Sequence, residues 1–380
     1  MSGAGLYPPG SFAPDDVTVL LRDVSGLVAE RAVAEREYAI QRGRHYSEDL
    51  PVERLPDAEY TAVFLRLLAG ASSRVALYTG VLTRRVLRRF ARPALVSLAR
   101  SGTPCGVLMR RYARREMGED LPHFTVSIIR GKGLDENALD YILAACPDRT
   151  PVFVDGWTGK GAIARELAAA CAAYSRRRGL RLAPVLAALA DPAGAAAICA
   201  TGEDFLNPSC CLNSTVCGLL SRTVHNAAFI GAGDFHGVRV YREFAAADQT
   251  DFYLRSVEAH FAALRAETKA LAAALPPSGP ATAGGGGGDG DGGGAGWEAA
   301  ERIGRLFGVK DINKVKPGLG ETTRVLLRRV PERILLRTPD HPDLAYIRLL
   351  AQNKGVPAEV FPDMPYLCCG LIAEQGEGEA

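Results

Sequence analysis

The sequence predicts an α/β protein, with a parallel-sheet domain covered by helices followed by a smaller α/β domain. Three observations predict it. Short apolar runs at 94–99, 124–129, 151–155 and 184–189 alternate with helical patterns, and strands spaced by such helices build parallel sheets buried on both faces. A stretch at 276–296, PPSGPATAGGGGGDGDGGGAG, interrupts the chain; dense glycine carries high backbone entropy and offers no side chain to bury. Beyond it, over 297–375, helix and strand patterns resume.

The elements follow in order through a first unit, 12–270. Asp15 and Asp16 before VTVLLRDV read as a capped helix start. A loop at 44–51 precedes a helix from Asp57 to Ala69. Each apolar run then leads into a helix: GVLMRRYARREM, DENALDYILAA and GAIARELAAACAAYSRRR. A further helix is expected from Leu212 to Val224. The second unit reads as a helix from Trp297 to Phe307, a strand ERILLR, a helix DLAYIRLLAQNKG and a strand VPAEVF, with Pro365–Cys368 closing its core. The acidic tail EQGEGEA lacks apolar residues to pack and is expected to be disordered.

Composition narrows the function classes. The 380 residues are 47% hydrophobic and 23% charged, with a formal net charge of +2. That is a globular balance with no global field for nucleic acid or membrane, so a basic site must be local. No run approaches the ~20 apolar residues of a membrane helix, and the prolines and aspartates of the N-terminus are unlike a secretory signal. Nine cysteines at irregular spacing, without a CxxC pair, read as reduced thiols of a cytoplasmic protein, most of them small core residues.

In a parallel sheet, ligands sit in the loops leaving the carboxyl ends of strands, and three such loops are cationic or glycine-rich. The first carries Arg100, Ser101, Gly102 and Thr103 into a helix, whose first amides favour an anion. The second interleaves Arg130 and Lys132 with two glycines. The third, VFVDGWTGKGA, places Asp155 at a strand end and offers Thr158, Gly159, Lys160 and Gly161 as a phosphate cradle. Lys160 is not followed by Ser or Thr, so this is not a P-loop. Tight turns need glycine in any case; three such loops on one sheet point to a phosphate or diphosphate ligand.

A rival centre lies in NPSCCLNSTVCGLLSRTVHNAAFIGAGDFHG, 207–237. A nucleophilic cysteine needs a lowered pKa, from a helix N-terminus and a nearby base. Cys211 before the expected helix is the candidate thiol, His236 the base, and Asp234 or Asn213 its orienting partner. The bland reading makes these cysteines packing residues. His225 reads as a structural cap and His260 as a helix-surface residue, while His123 opens a strand.

The order of the three loops resembles type I phosphoribosyltransferases. VSLARSGTPCGVL, LPHFTVSIIRGKGLDENALDYIL, VFVDGWTGKGAIAREL and LNSTVCGLLSRTVHN together resemble a bacterial group associated with tellurium resistance and stress, classed as phosphoribosyltransferase-like and also as the StiP cysteine protease family. The resemblance implies a phosphoribosyltransferase-like fold that binds phosphoribosyl diphosphate or a related ribose phosphate. Arg100, Gly102 and Thr103 would hold diphosphate, and Thr158, Gly159, Lys160 and Gly161 the 5′-phosphate, with Ser101 and Lys132 as further phosphate-binding residues. Asp155 would hold a hydroxyl or Mg²⁺, with Lys160 and Arg130 stabilising charge and no organic cofactor required. Such enzymes carry two adjacent acidic residues where this chain has Asp155 and Gly156. The alternatives are the Cys211–His236 hydrolase and a non-catalytic nucleotide sensor.

The second unit resembles the Pelota/L7Ae group of RNA-binding domains at Gly318-Leu319-Gly320-Glu321-Thr322-Thr323-Arg324. Gly320 stands where that group has an asparagine. The resemblance implies an RNA or nucleotide-like ligand held by helix-start amides with Lys314, Lys316, Gly318, Glu321, Thr322, Arg324 and Arg328. A tether of 21 residues spans roughly 25 Å r.m.s., so the module is expected to deliver its ligand to the first unit's loops.

Overall fold

A computed structural model describes residues 10–276, 295–328 and 331–372. The tether's stretch 277–294 and the acidic tail lie outside these residues, as does the side chain of Arg328.

The first unit is built on six strands: β1 (Thr18–Val19), β2 (Pro93–Leu98), β3 (His123–Val126), β4 (Thr150–Trp157), β5 (Leu186–Ala190) and β6 (Ile198–Thr201). Their order is β1-β3-β2-β4-β5-β6, and every neighbouring pair is parallel, with Leu95 facing His123 on one side and Val152 on the other. All six residues of β2 are buried, as a central parallel strand requires. The α/β parallel-sheet expectation is met, and β6 is an added strand.

Helices α1 (Ala58–Arg89), α2 (Gly102–Tyr112), α3 (Glu136–Ala145), α4 (Ala162–Arg178), α5 (Thr250–Glu258) and α6 (Arg265–Ala274) cover the sheet. Asp57 caps α1 by accepting a hydrogen bond from Tyr60 N at 2.7 Å. That helix runs well past the expected end at Ala69, because Ala71, Ser72, Val75 and Ala76 are buried and packing outweighs the low helix propensity of Gly70.

Two expected helices are absent. Residues 18–19 pair with β3 as a strand, and Asp16 gives its carboxylate to Arg111 at 2.5 Å rather than to a helix start. Between 208 and 217 the chain makes two short 3₁₀ turns, Pro208–Cys210 and Ser214–Val216. Asn213 (φ −103°, ψ −107°), Gly218 (φ 71°) and Leu219 (φ 59°) then hold backbone conformations that no α-helix contains.

The second unit begins with α7 (Ala295–Leu306) and forms strands β7 (Val315–Pro317), β8 (Arg333–Leu336), β9 (Ala358–Val360) and β10 (Cys368–Leu371), with α8 (Leu319–Arg328) and α9 (Ala345–Asn353). Strand order is β7-β10-β8-β9. β10 is antiparallel to both neighbours, and β8 pairs β9 in parallel. Tyr366, Leu367 and Cys368 are buried as expected.

The units are not merely tethered. One apolar core joins Phe64, Leu68, Val75, Phe205 and Leu206 to Leu319, Leu326, Ile347 and Leu367. Burying each such side chain contributes roughly 1.5–3 kcal/mol, so this core outweighs any single polar contact along the seam. No helix of the described residues is long and apolar enough to cross a membrane. All nine cysteines are free thiols.

Candidate active site at the seam of the two sheets

Two adjoining cavities open beyond the carboxyl ends of β2 and β4. The first, of about 290 Å³, is walled by Ser101, Arg130, Asp155 and residues 157–164 of the first unit, and by Asn313, Lys316, Glu321 and Arg324 of the second. The other, of about 330 Å³, is walled by Glu53, Arg100, Asn213, Arg222 and Tyr241. Ser101 and Arg324 border both.

Asp155 leaves β4 at the floor of the first cavity. Ser101 Oγ and Gly156 N donate to its Oδ1, each at 2.8 Å. Burial still pushes its carboxyl up to about 6, the hydrogen bonds and Arg324 pulling the other way. Thr158 donates its hydroxyl to Asp191. Lys160 does not wait for an anion: Nζ donates to the Ile312 and Val315 carbonyls of the second unit. Burial and the neighbouring Lys316 bring its pKa down to about 8. Gly159 O accepts from Tyr366 at 3.0 Å, and Gly161, at φ 77°, caps α4 in the left-handed conformation that favours glycine. Arg130 reaches Asn313 at 2.9 Å.

The expected diphosphate loop is divided by the fold. Arg100 turns to the second cavity, donating to Leu220 O at 2.9 Å and lying 3.8 Å from Glu53. Gly102 is there for packing: an added Cβ would stand 2.2 Å from Val154 O. Thr103 is fully buried and accepts a hydrogen bond from Thr125 at 3.1 Å, so it belongs to the core. Lys132 sits elsewhere, its Nζ donating to His225 O at 3.1 Å. Among the described residues no group of three or more His, Cys, Asp or Glu gathers as a metal site.

The expected thiol dyad is also not assembled. Cys211 is fully buried, follows a 3₁₀ turn instead of opening an α-helix, and accepts the Tyr60 hydroxyl on its carbonyl. His236 is engaged at another place. Its amide donates to Asp135 at 2.6 Å, Nδ1 meets Ser127 Oγ at 2.9 Å, and its ring lies edge-on to His225. Burial and the nearby His225 and Lys132 push its pKa down to about 3. Asp234 pairs with Arg22 at 2.5 Å rather than with His236. Each of the six imidazoles is held by a partner other than a thiol: His45 by Ser47, His123 by Ser97, His225 by Lys132, His236 by Ser127, His260 by Ser72 and His341 by Asp343 N.

Cys217, which sequence reasoning passed over, is a nearly buried thiol under the influence of Arg100, Arg324 and Glu53. It is 4% exposed, against 1% for Cys210. Burial pushes it up to about 11, while Arg100 and Arg324 pull it down and Glu53 opposes them. The turn after it is rigid: Gly218 N donates to Thr250 and Leu219 N to Ser214 O, holding the non-glycine Leu219 at positive φ, a strain that surrounding structure must impose. Arg222 and Tyr241 in the wall of the second cavity carried no sequence signal. Burial next to Arg36 lowers Arg222 to about 10.

The turn from Gly318 to Arg324, expected to meet RNA, faces the first unit. Asp204, itself buried, accepts Leu319 N at 3.0 Å and Leu367 N at 2.9 Å. Gly318, at φ 89°, lets the chain pass Asp204, and Gly320 lets it approach Trp157 and Cys210 Sγ. Thr322 is fully buried and donates to Lys316 O at 3.1 Å; Lys314 is half-buried beside that strand.

Comparison with known proteins accords with this arrangement. A family model described as tellurite-like stress resistance cysteine protease StiP matches residues 10–258. A second, the Pelota RNA-binding domain, matches residues 294–374. The chain is 31% identical over 381 residues, 97% of its own length and 95% of the relative's, to the cysteine protease StiP of Acinetobacter baylyi. These matches overturn the phosphoribosyltransferase expectation: the family and the relative carry the name of a cysteine protease, the alternative function expected from the sequence. The chain belongs to the StiP family.

Proposed function

We propose that this chain is a thiol-dependent peptide hydrolase whose reaction centre is the paired cavity and whose nucleophile is Cys217. The observation that carries the reading is the match to a cysteine protease family together with the Cys217 thiol, which lies under the fields of Arg100 and Arg324, two residues that wall the second cavity. In the reaction the thiol proton passes to Glu53, and sulfur attacks the peptide carbonyl carbon. The oxyanion that forms is met by guanidinium N–H groups, and the amine leaves with the proton. Water then hydrolyses the thioester. Burial keeps the resting thiol protonated, so substrate entry must bring Glu53 and the thiol together.

The test compares Cys217→Ala, Cys210→Ala and Cys211→Ala in the full chain on a fluorogenic peptide library. Cys217→Ala is expected to lower kcat/KM by about 10³-fold or more, and the other two by less than about 10-fold. Full activity in Cys217→Ala, or its loss in Cys211→Ala alone, overturns the assignment.

A second reading concerns the Pelota-type domain, whose match supports an RNA ligand. Such a ligand would use a surface other than the Gly318–Arg324 turn, or that turn once it has left Asp204.

A further inference from the structure

We infer that the second cavity is a receptor for a carboxylate, the acidic side chain or free C-terminus of a bound peptide, with Arg222 as the cation that takes it. The inference rests on the hydrolase reading for the occupant being a peptide; the site itself is read from its walls.

Charge is unevenly matched around this cavity of about 330 Å³. Three arginines stand in its wall, Arg100, Arg222 and Arg324, against a single carboxylate, Glu53. Two of the three already have an acidic neighbour: Arg100 lies 3.8 Å from Glu53, and Arg324 pairs with Glu321 at 3.1 Å. Arg222 forms no ion pair among the described residues. Its Nη2 donates to the backbone carbonyls of Tyr46 and Asp49, the latter at 2.9 Å. The Asp49 carboxylate is itself engaged by Arg31, Arg36 and Arg44, at 3.3, 2.8 and 3.5 Å.

Arg222 Nε is buried without a hydrogen-bond partner, and among the described residues Nη1 has none either. Buried polar groups in folded proteins are met by protein, water or ligand, and a guanidinium offers five donors and no acceptor. The group that completes Arg222 is therefore an acceptor, and the charge left unmatched is a single one.

The rest of the wall selects the anion. Glu53 is fixed, since Ser214 donates to it from its amide at 3.2 Å and its hydroxyl at 3.1 Å, and its side chain is 8% exposed. A carboxylate held there leaves room for one negative charge balanced by Arg222 and repels a second, which disfavours a doubly charged phosphate. Leu50, Pro51 and Tyr241 give the less polar side of the wall, against which methylene carbons can lie. Arg222 is also held in place: both of its carbonyl acceptors lie in the 44–51 segment, and the centre of the Tyr46 ring is 5.2 Å from its guanidinium. A cation fixed in advance loses little freedom when its anion arrives.

Equilibrium binding tests the site without turnover. Calorimetric titrations of the full chain, repeated in Cys217→Ala so that cleavage adds no heat, use four probes at pH 7, where peptide carboxylates are ionised. The probes are acetyl-Ala-Glu-Ala-amide, acetyl-Ala-Gln-Ala-amide, acetyl-Ala-Ala-Ala with a free C-terminus, and inorganic phosphate. At least one carboxylate probe is expected to bind about tenfold or more tighter than the glutamine peptide, the effect of one charge-assisted hydrogen bond. The glutamate and free-terminus arms tell the two sources of carboxylate apart. Arg222→Met is expected to bring the preferred probe within about twofold of the glutamine peptide, whereas Arg222→Lys, which keeps the charge, retains a preference of about threefold or more.

Absence of binding by both carboxylate probes, or affinity no greater than that of the glutamine peptide, overturns the inference. An acidic preference that survives in Arg222→Met overturns it as well, because the carboxylate is then held elsewhere. Phosphate that binds more tightly than either carboxylate probe, and loses its affinity with Arg222, overturns the ligand class. Should Arg222→Met lower the thermal midpoint, Arg222→Gln is read by the same criterion, since it keeps a donor for the Tyr46 and Asp49 carbonyls without the charge. The two readings fail separately. Full peptidase activity in Cys217→Ala removes the nucleophile, whereas the binding preference judges Arg222 whatever that outcome.

Discussion

Two glycine-flanked helix starts meet across the seam, and they differ in what fills them. At α8, Gly318 and Gly320 bracket Leu319, whose amide is taken by Asp204. At α4, Gly159 and Gly161 bracket Lys160, and residues 159–164 line an open cavity. Both starts offer unpaired amides to an anion. One receives a carboxylate from within the chain and becomes a docking joint. The other lines the cavity while its lysine is drawn off to the Ile312 and Val315 carbonyls. The difference lies not in the turns but in Asp204, contributed by a loop more than a hundred residues from α8.

The comparison breaks most directly at that carboxylate. Asp204→Leu leaves the Leu319 and Leu367 amides buried and unpaired, at a cost of roughly 3 kcal/mol. The continuous apolar core should keep the units associated but loosely joined. Trp157 lies under Arg324 and Trp297 under Arg165, so both tryptophans report on the seam. Urea unfolding followed by tryptophan fluorescence is expected to show an early transition. A loss below about 0.5 kcal/mol, within the usual range of surface substitutions, would mean that α8 is not anchored there. If the Gly318–Arg324 turn is also the RNA face, the variant should bind single-stranded RNA more tightly than the parent chain.

Acidification sharpens the same contrast with a smaller effect. Burial raises Asp204 to about 6, opposed by the two amides and by Arg337, with Asp343 adding to the rise. A carboxyl whose docked pKa lies above its free value contributes stability that is complete below about 3.8 and lost as pH rises through about 6. Docking should therefore tighten by about 1 kcal/mol from pH 7 to pH 5. His123 and His236 act oppositely, their pKa values depressed to about 4 and about 3, so their contribution falls as pH drops below about 6.5. The Asp204 share is isolated by subtracting the profile of Asp204→Asn; identical profiles would remove Asp204 as the titrating anchor.

Much of the sheet was legible because its strands are apolar on both faces and its helices carry clear starts. Asp135 caps α3 as its position before the ENALDYILAA run suggests, and β4 carries Asp155 near its carboxyl end, running two residues further to Trp157. The candidate site was less legible for two reasons. Glycine next to a cation looks alike whether it approaches a phosphate or another part of the chain, as Gly102 against Val154 O shows. Local polarity also misled the reading of 212–224, where Ser214 and Thr215 stand in a strained turn instead of a helix. Cys217 gave no signal of its own, since Arg100, Arg324 and Glu53 come to it from distant parts of the chain.

The smallest expected effect tests whether charge or amide capture holds the seam. Arg74 Nη1 and Nη2 meet Asp343 Oδ2 and Oδ1 at 2.7 and 2.8 Å, a two-point fork that should be specific. The Arg74 side chain is nevertheless 36% exposed. Water and salt screen such a pair, and ordering two side chains offsets part of the gain, leaving about 0.5–1 kcal/mol. A double-mutant cycle with Arg74→Met and Asp343→Asn isolates the coupling from each residue's other contacts, including the Asp343 amide's bond to His341. It should shrink further in 0.5 M salt, whereas the Asp204 effect should not, because buried groups are poorly screened. A coupling above about 2 kcal/mol that resists salt would place the ion pair beside Asp204 as a second anchor, and the two helix starts would then differ in less than their fillings imply.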